Sequence, residues 1–312
     1  MTRIVKTILA LLIACLVFGC TSFKQSMFDF MISSDRSWSG LKLSSVSING
    51  QALSYLERPG KGETIVLVHG FGADKDNWTR FIRYIPKEYR VIAFDMPGHG
   101  DSYKPLDKTY TIDFMALSLD QAVNALGISK FHLAGNSMGG WISIFYATRN
   151  PNKVTTLCLV DNAGLQAVSP EPSDLALALL KGQSPLTPNS KEEFDELLEY
   201  AFFKKPFIPW PITSVLADRA MASSDFNKKM WKEFTTQSTD IYPLLADLNL
   251  PVLVIWGDKD RILHVSTTEL LRKSLRNSEI IIMKDCGHLP MLERPQETAG
   301  YYVTFLSKHK SS

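Results

Sequence analysis

From residue 41 onward the chain carries two kinds of hydrophobic pattern. Residues 41–48 and 51–56 alternate apolar and polar positions around an Asn49-Gly50 pair, the short-range signature of a β-hairpin. Residues 64–69 form instead a continuous apolar run, Thr-Ile-Val-Leu-Val-His, as expected for a strand covered on both faces. Residues 91–95, 131–135, 155–160, 252–256 and 279–283 repeat that pattern. Stretches with helical spacing separate the runs, at 78–84, 111–125, 138–148, 266–274 and 294–307. Strands alternating with helices predict an α/β fold, a mostly parallel sheet flanked by helices.

The alternation lapses from about 164 to 250. Helical spacing appears at 175–180, 192–203, 212–221 and 227–234, punctuated by Pro170, Pro172, Pro185, Pro188, Pro206, Pro209 and Pro211. The stretch is too long for a loop and too poor in strands for a second α/β domain. It is expected to be a helical cap, 164–250, inserted between core segments 41–163 and 251–308. Residues 200–216 crowd together Phe202, Phe203, Phe207, Ile208, Trp210, Ile212 and Val215, more apolar surface than a solvent-facing insertion should carry. They serve either to fix the cap to the sheet or to line an enclosed apolar tunnel.

The first residues follow a different logic. Arg3 and Lys6 precede an apolar run from Ile8 to Phe18, short of the ~20 residues a membrane span needs. Leu16-Val17-Phe18-Gly19-Cys20 follows and resembles a lipoprotein box. Residues 1–19 then read as a signal peptide and Cys20 as a lipidated first residue, which implies an exported, membrane-anchored protein. An ordinary signal peptide or a short uncleaved anchor are the alternatives. In the membrane-proximal segment 20–40, Phe23, Met27, Phe28, Met31 and Ile32 recur at near-helical spacing. That helix either lies on the membrane beside the anchor or packs on the domain.

Composition narrows the function classes. Arg3 and Lys6 supply the whole formal excess of +2, so the remaining charges balance and nothing points to nucleic acid. With Cys15 in the leader and Cys20 lipidated, only Cys158 and Cys286 remain, no disulfide framework. No Cys/His cluster has zinc spacing, and neither metal nor cofactor is expected.

The candidate chemistry sits where an apolar run meets a helical one, at Gly135-Asn136-Ser137-Met138-Gly139-Gly140. A G-x-S-x-G sequence between strand and helix is the context of a nucleophile elbow. A serine hydroxyl needs a base, a carboxylate to hold that base, and donors for the oxyanion. His288 follows the last apolar run and is the preferred base over His69, His99, His132, His264 and His309. Asp260, after the run 252–256, is the preferred acid, with Asp161 and Asp258 as alternatives. The N–H of Met138, at a helix start, and that of Phe71, in His69-Gly70-Phe71-Gly72, suit an oxyanion hole.

These residues, together with Asp-Met-Pro-Gly-His-Gly (95–100), Leu-Val-Asp-Asn-Ala-Gly-Leu (159–165), Trp-Gly-Asp-Lys-Asp (256–260) and Cys-Gly-His (286–288), give the chain from 41 to 308 a resemblance to Ser-nucleophile α/β-hydrolases. Within them it most resembles membrane-bound monoacylglycerol lipases and related bacterial lipases. The resemblance implies an α/β-hydrolase fold and a triad of Ser137, Asp260 and His288 acting on a lipid-like ester. A C–C hydrolase on ring-cleavage dienones is the alternative, although Leu289 stands where those enzymes carry Trp. A non-catalytic, membrane-tethered binding protein is the other.

Overall fold

The computed structural model describes residues 23–236 and 241–309 of the chain. They form an eight-stranded sheet ordered β1-β2-β4-β3-β5-β6-β7-β8. The strands are β1 (Lys42–Ile48), β2 (Gln51–Arg58), β3 (Thr64–Val68), β4 (Arg90–Phe94), β5 (Phe131–Asn136), β6 (Val154–Val160), β7 (Val252–Gly257) and β8 (Ser278–Met283). From β4 to β8 every neighbouring pair is parallel, while β1 pairs antiparallel with β2 and β2 with β4. The β1–β2 turn holds Asn49 at φ 50° and Gly50 at φ 78°, the left-handed pair that Asn-Gly accommodates with little strain.

Burial on both faces explains the continuous apolar runs. Ile65 and Leu67 pack into one core cluster while Val66 and Val68 pack into the other. Leu253 and Ile255 divide from Val254 and Trp256 in the same way. β8 departs from this expectation. It closes the sheet at one edge, its residues 278–281 are only half-buried, and Ile282 is 48% exposed. Periodicity reports hydrophobicity and not sheet position, so an edge strand with three consecutive isoleucines reads like a central one.

The helices are α1 (23–38), α2 (Thr79–Ile82), α3 (Ile112–Ala125), α4 (Met138–Arg149), α5 (Asp174–Leu180), α6 (Lys191–Ala201), α7 (Trp210–Ala222), α8 (Ser224–Thr236), α9 (Thr267–Ser274), α10 (Pro290–Glu293) and α11 (Pro295–Lys308). Side-chain caps start several of them. Thr111 accepts from Phe114 N at 3.0 Å, Ser173 from Ala176 N at 3.1 Å and Ser190 from Glu193 N at 3.1 Å, each satisfying an otherwise orphaned N–H. No described helix is long and apolar enough to cross a membrane.

Helices α5 to α8 lie between β6 and β7. Polar contacts tie them to the sheet domain. Asp174 takes Arg261 Nε at 2.6 Å, Glu233 takes Tyr110 N at 2.9 Å, and Ala201 O accepts from His288 N at 2.9 Å.

Helix α1 uses two faces. Its inner face packs on the domain: Arg36 holds Asp76 at 2.5 and 2.7 Å, and Asp35 accepts from Arg83 at 2.6 Å. Lys24 reaches α7, pairing with Asp218 and donating to Ser214 at 3.2 Å, and Phe28 is buried under Arg219. The outer face leaves Phe23 60%, Phe30 73% and Trp38 76% exposed. Packing and an open apolar face therefore coexist on one helix. The leader and Cys20 lie outside the described residues.

Candidate active site

Ser137 stands in the one-residue turn between β5 and α4. Its φ of 54° and ψ of −119° lie outside the ordinary regions for an L-residue. Strain of this kind persists only where the surroundings fix it. Here Ser137 N donates to Val160 O at 3.0 Å and Ser137 O accepts from Ala163 N at 2.9 Å. A Cβ on Gly135 would stand 2.2 Å from Gly139 O, and one on Gly139 2.2 Å from Val68 O. Both positions therefore require glycine, since strand, turn and helix pass at backbone contact.

The imidazole of His288 bonds through Nδ1 to Asp260 Oδ2 at 2.7 Å, with both side chains buried. Asp260 Oδ1 accepts from Ile262 N at 2.8 Å and Leu263 N at 2.9 Å. Backbone N–H groups thus fix the carboxylate, and the carboxylate fixes the ring with Nε2 turned away from it. Of the other acid candidates, Asp258 is a loop residue whose Oδ1 takes Cys286 N at 3.4 Å. Asp161, at the end of β6, is fully buried and receives Gly257 N at 2.9 Å. The competing His264 bonds Ser266 Oγ at 2.8 Å and not Asp260.

The loop 69–72 passes against the nucleophile: a Cβ on Gly70 would lie 3.2 Å from Ser137 Cβ. His69 sets the loop's shape. Its Nδ1–H donates to Gly70 O at 2.7 Å and its Nε2 accepts from Met96 N at 3.0 Å. Burial pushes this imidazole down to about 4, so it stays neutral and both bonds hold at ordinary pH. Lys75 anchors the far end of the loop on Asp95, at 2.6 Å and out of solvent. Met138 opens α4, so its N–H has no partner inside the helix. Phe71 and Met138 line the same cavity as Ser137.

That cavity is apolar and lies under the inserted helices, with Leu175 and Leu179 of α5, Leu186, and Trp231 and Phe234 of α8 on its walls. The Phe71 ring sits 5.3 Å from Trp231 and 6.4 Å from Phe234. The aromatic stretch 200–216 does not line it. Phe202 is buried in the core cluster it shares with the sheet and Val215 is buried in α7, while Phe207 is 84% and Trp210 63% exposed. The tunnel reading of those residues is corrected: apolar content along the chain does not say which surface a side chain meets, and Phe207 and Trp210 are left mostly in solvent.

Two residues escaped the sequence reading. Asn136 donates through Nδ2 to Val160 O at 3.1 Å and to His288 O at 3.2 Å, joining the nucleophile strand to the histidine loop. Its signal was a polar side chain closing an apolar run. Glu293 accepts from Gly287 N at 3.0 Å, Phe203 N at 3.1 Å and Lys204 N at 2.9 Å, joining that loop to the insertion. Nothing local marks it, because two of its three partners, Phe203 and Lys204, come from a distant part of the chain.

Comparison with known proteins bears out the fold. The family described as alpha/beta hydrolase fold matches residues 63–207. Lipase 3 of Moraxella sp. (strain TA144) is 34% identical over 305 residues, covering 95% of this chain and 96% of its own. Monoacylglycerol lipase ABHD6 of Homo sapiens is 32% identical over 263 residues, 81% of this chain and 78% of its own. A solved structure of a membrane phospholipase A, described as a bacterial virulence factor, superposes with a TM-score of 0.92 at 38% identity, covering all of both chains.

Proposed function

The chain belongs to the alpha/beta hydrolase family, and from that premise we propose that it is a membrane-anchored esterase for lipids carrying one acyl chain, monoacylglycerols foremost. It is a serine ester hydrolase with lipase relatives. The observation that carries the finer reading is the opening of Ser137 into an apolar cavity beside Phe71 and Met138.

In this mechanism Ser137 Oγ attacks the acyl carbonyl and His288 Nε2 takes its proton. The Phe71 and Met138 N–H groups hold the oxyanion, where preformed donors act most strongly. His288 then protonates the leaving alcohol, and water, activated by the same imidazole, releases the acid. Asp260 keeps the proton on Nδ1 and stabilises the imidazolium, as its 2.7 Å bond supports.

The cavity supports the reading of one acyl chain. Its volume is about 170 Å³, below the ~300–1,000 Å³ of sites that enclose drug-sized ligands. It has room for a segment of one chain, each buried methylene contributing about 0.8 kcal/mol. A triacylglycerol must place two further chains where α5 and α8 stand. kcat/KM on monooleoylglycerol is expected to exceed that on trioleoylglycerol by roughly tenfold or more in matched micelles. Lysophosphatidylcholine shares the one-chain geometry and is expected to be accepted, which bears on the likeness to a phospholipase A. Equal rates on the triacylglycerol would replace the enclosed site with an open groove.

Attachment is proposed to use two elements, a lipid on Cys20 and the outer face of α1. Phe23 stands near the end of the described chain that leads back to Cys20, and Phe30 and Trp38 continue the same exposed face. An apolar helix face buried in the interface adds to whatever a lipid anchor contributes. Cys20→Ser is expected to abolish metabolic palmitate labelling and move the protein from membrane to soluble fractions. Full membrane retention without label would assign the anchor to the uncleaved leader or to α1 alone.

A further inference from the structure

Beside the His288–Asp260 pair lies a second carboxyl that the mechanism above does not use. Asp161 has 0% exposure and sits at φ 44°, a left-handed backbone that aspartate adopts more readily than most side chains. Its N–H donates to Ile255 O and its Oδ1 accepts from Gly257 N, both at 2.9 Å. Its Oδ2 is buried and meets no N–H or O–H donor among the described residues. A carboxylate oxygen of Asp161, one of Asp260 and a ring nitrogen of His288 all lie within 4.8 Å of one another.

Two ionised carboxylates cannot share so small a dry space, so one must carry a proton. Donor counting says which. Asp260 receives two backbone N–H groups and His288 Nδ1, and hydrogen bonds of that kind favour the ionised form. Asp161 receives one backbone N–H. A proton on its Oδ2 would supply the missing donor and give that buried oxygen a partner in the Asp260 carboxylate.

We propose that Asp161 is a neutral carboxylic acid that donates a hydrogen bond from Oδ2 to the Asp260 carboxylate, and so acts as a positioning residue for the His288–Asp260 pair. Burial, and then the Asp260 charge, push the Asp161 carboxyl well above the usual carboxylate range, consistent with this state. The groups facing it are Asp260 and His288, with Glu293 and the Cys286 thiol in electrostatic reach. The donated bond draws charge from Asp260 and moderates its hold on the imidazolium. It also braces the acid loop after β7 against the end of β6.

The proposal rests on Asp260 and His288 acting as described above, but one of its tests does not use activity. At pH 7, the infrared difference spectrum of wild type minus Asp161→Asn should show the C=O stretch of a protonated carboxyl. Asp74, which burial pushes up to about 7, contributes equally to both proteins and cancels. The second test is the acid limb of kcat/KM against pH. Asp161→Val removes the donor and should move the limb upward by about half a unit to one unit. Asp161→Asn keeps both a donor and an acceptor in place and should return the limb to within a few tenths of a unit of wild type. An ionised Asp161 would behave oppositely, both variants moving the limb down. A downward shift in both, an unmoved limb in Asp161→Val, or no carboxyl band in the difference spectrum overturns the proposal. Should Asp161→Val not fold, the band and the limb of Asp161→Asn decide.

Discussion

Ser137→Ala is expected to lower kcat for ester hydrolysis by up to about 10⁶-fold while leaving the fold intact. The size follows from the cooperative use of nucleophile, base and acid: without Oγ the other two have nothing to activate, and only binding and the oxyanion donors remain. The fold should survive for a geometric reason. The strain at φ 54° belongs to the backbone and Cβ, which alanine shares, and the Val160 and Ala163 backbone bonds do not involve the hydroxyl. The checks are kcat on a p-nitrophenyl ester, loss of fluorophosphonate labelling, and an unchanged thermal transition. Retention of a tenth of wild-type turnover in a folded variant would place the nucleophile elsewhere.

Asp260→Asn should cost roughly 10⁴-fold in kcat. The amide has no free choice of orientation. Ile262 N and Leu263 N both point at Oδ1, so the asparagine oxygen must stay there and its NH₂ must face His288 Nδ1. Two donors cannot share that bond. The imidazole proton then moves to Nε2, where it blocks acceptance from Ser137, and no carboxylate remains to stabilise the imidazolium. Asp161→Asn should cost less than tenfold by the same test, because it retains the acceptor for Gly257 N. A ranking in which Asp161→Asn is the more damaging would transfer the acid to the end of β6.

The relation between sequence and site is uneven. The elbow was legible because Gly135, Ser137 and Gly139 are dictated by contacts within a few residues, a strand stopping and a helix starting at one strained turn. His288 and Asp260 were legible as loop residues after apolar runs. Their bond, and the different setting of Asp161, depend on strands β6, β7 and β8 lying side by side, which no local pattern states. The sequence held three acid candidates open for this reason.

The sequence by itself determined the α/β alternation, the hairpin at Asn49-Gly50, the helical character of the stretch between β6 and β7, and the residue types available for acyl chemistry. Each is a matter of spacing along the chain, where burial at a fixed period leaves its mark. Tertiary structure alone decided the rest. It left β8 half-bare at the sheet edge, and it assigned the cavity over Ser137 to Leu175, Leu179, Trp231 and Phe234 while Phe207 and Trp210 stayed exposed. It also set Asp161 beside Asp260, where only one of the two can hold a charge. The physical reason is common to all three. Hydrophobicity and charge are properties of single residues, whereas coverage and protonation are set by neighbours that packing brings from distant parts of the chain.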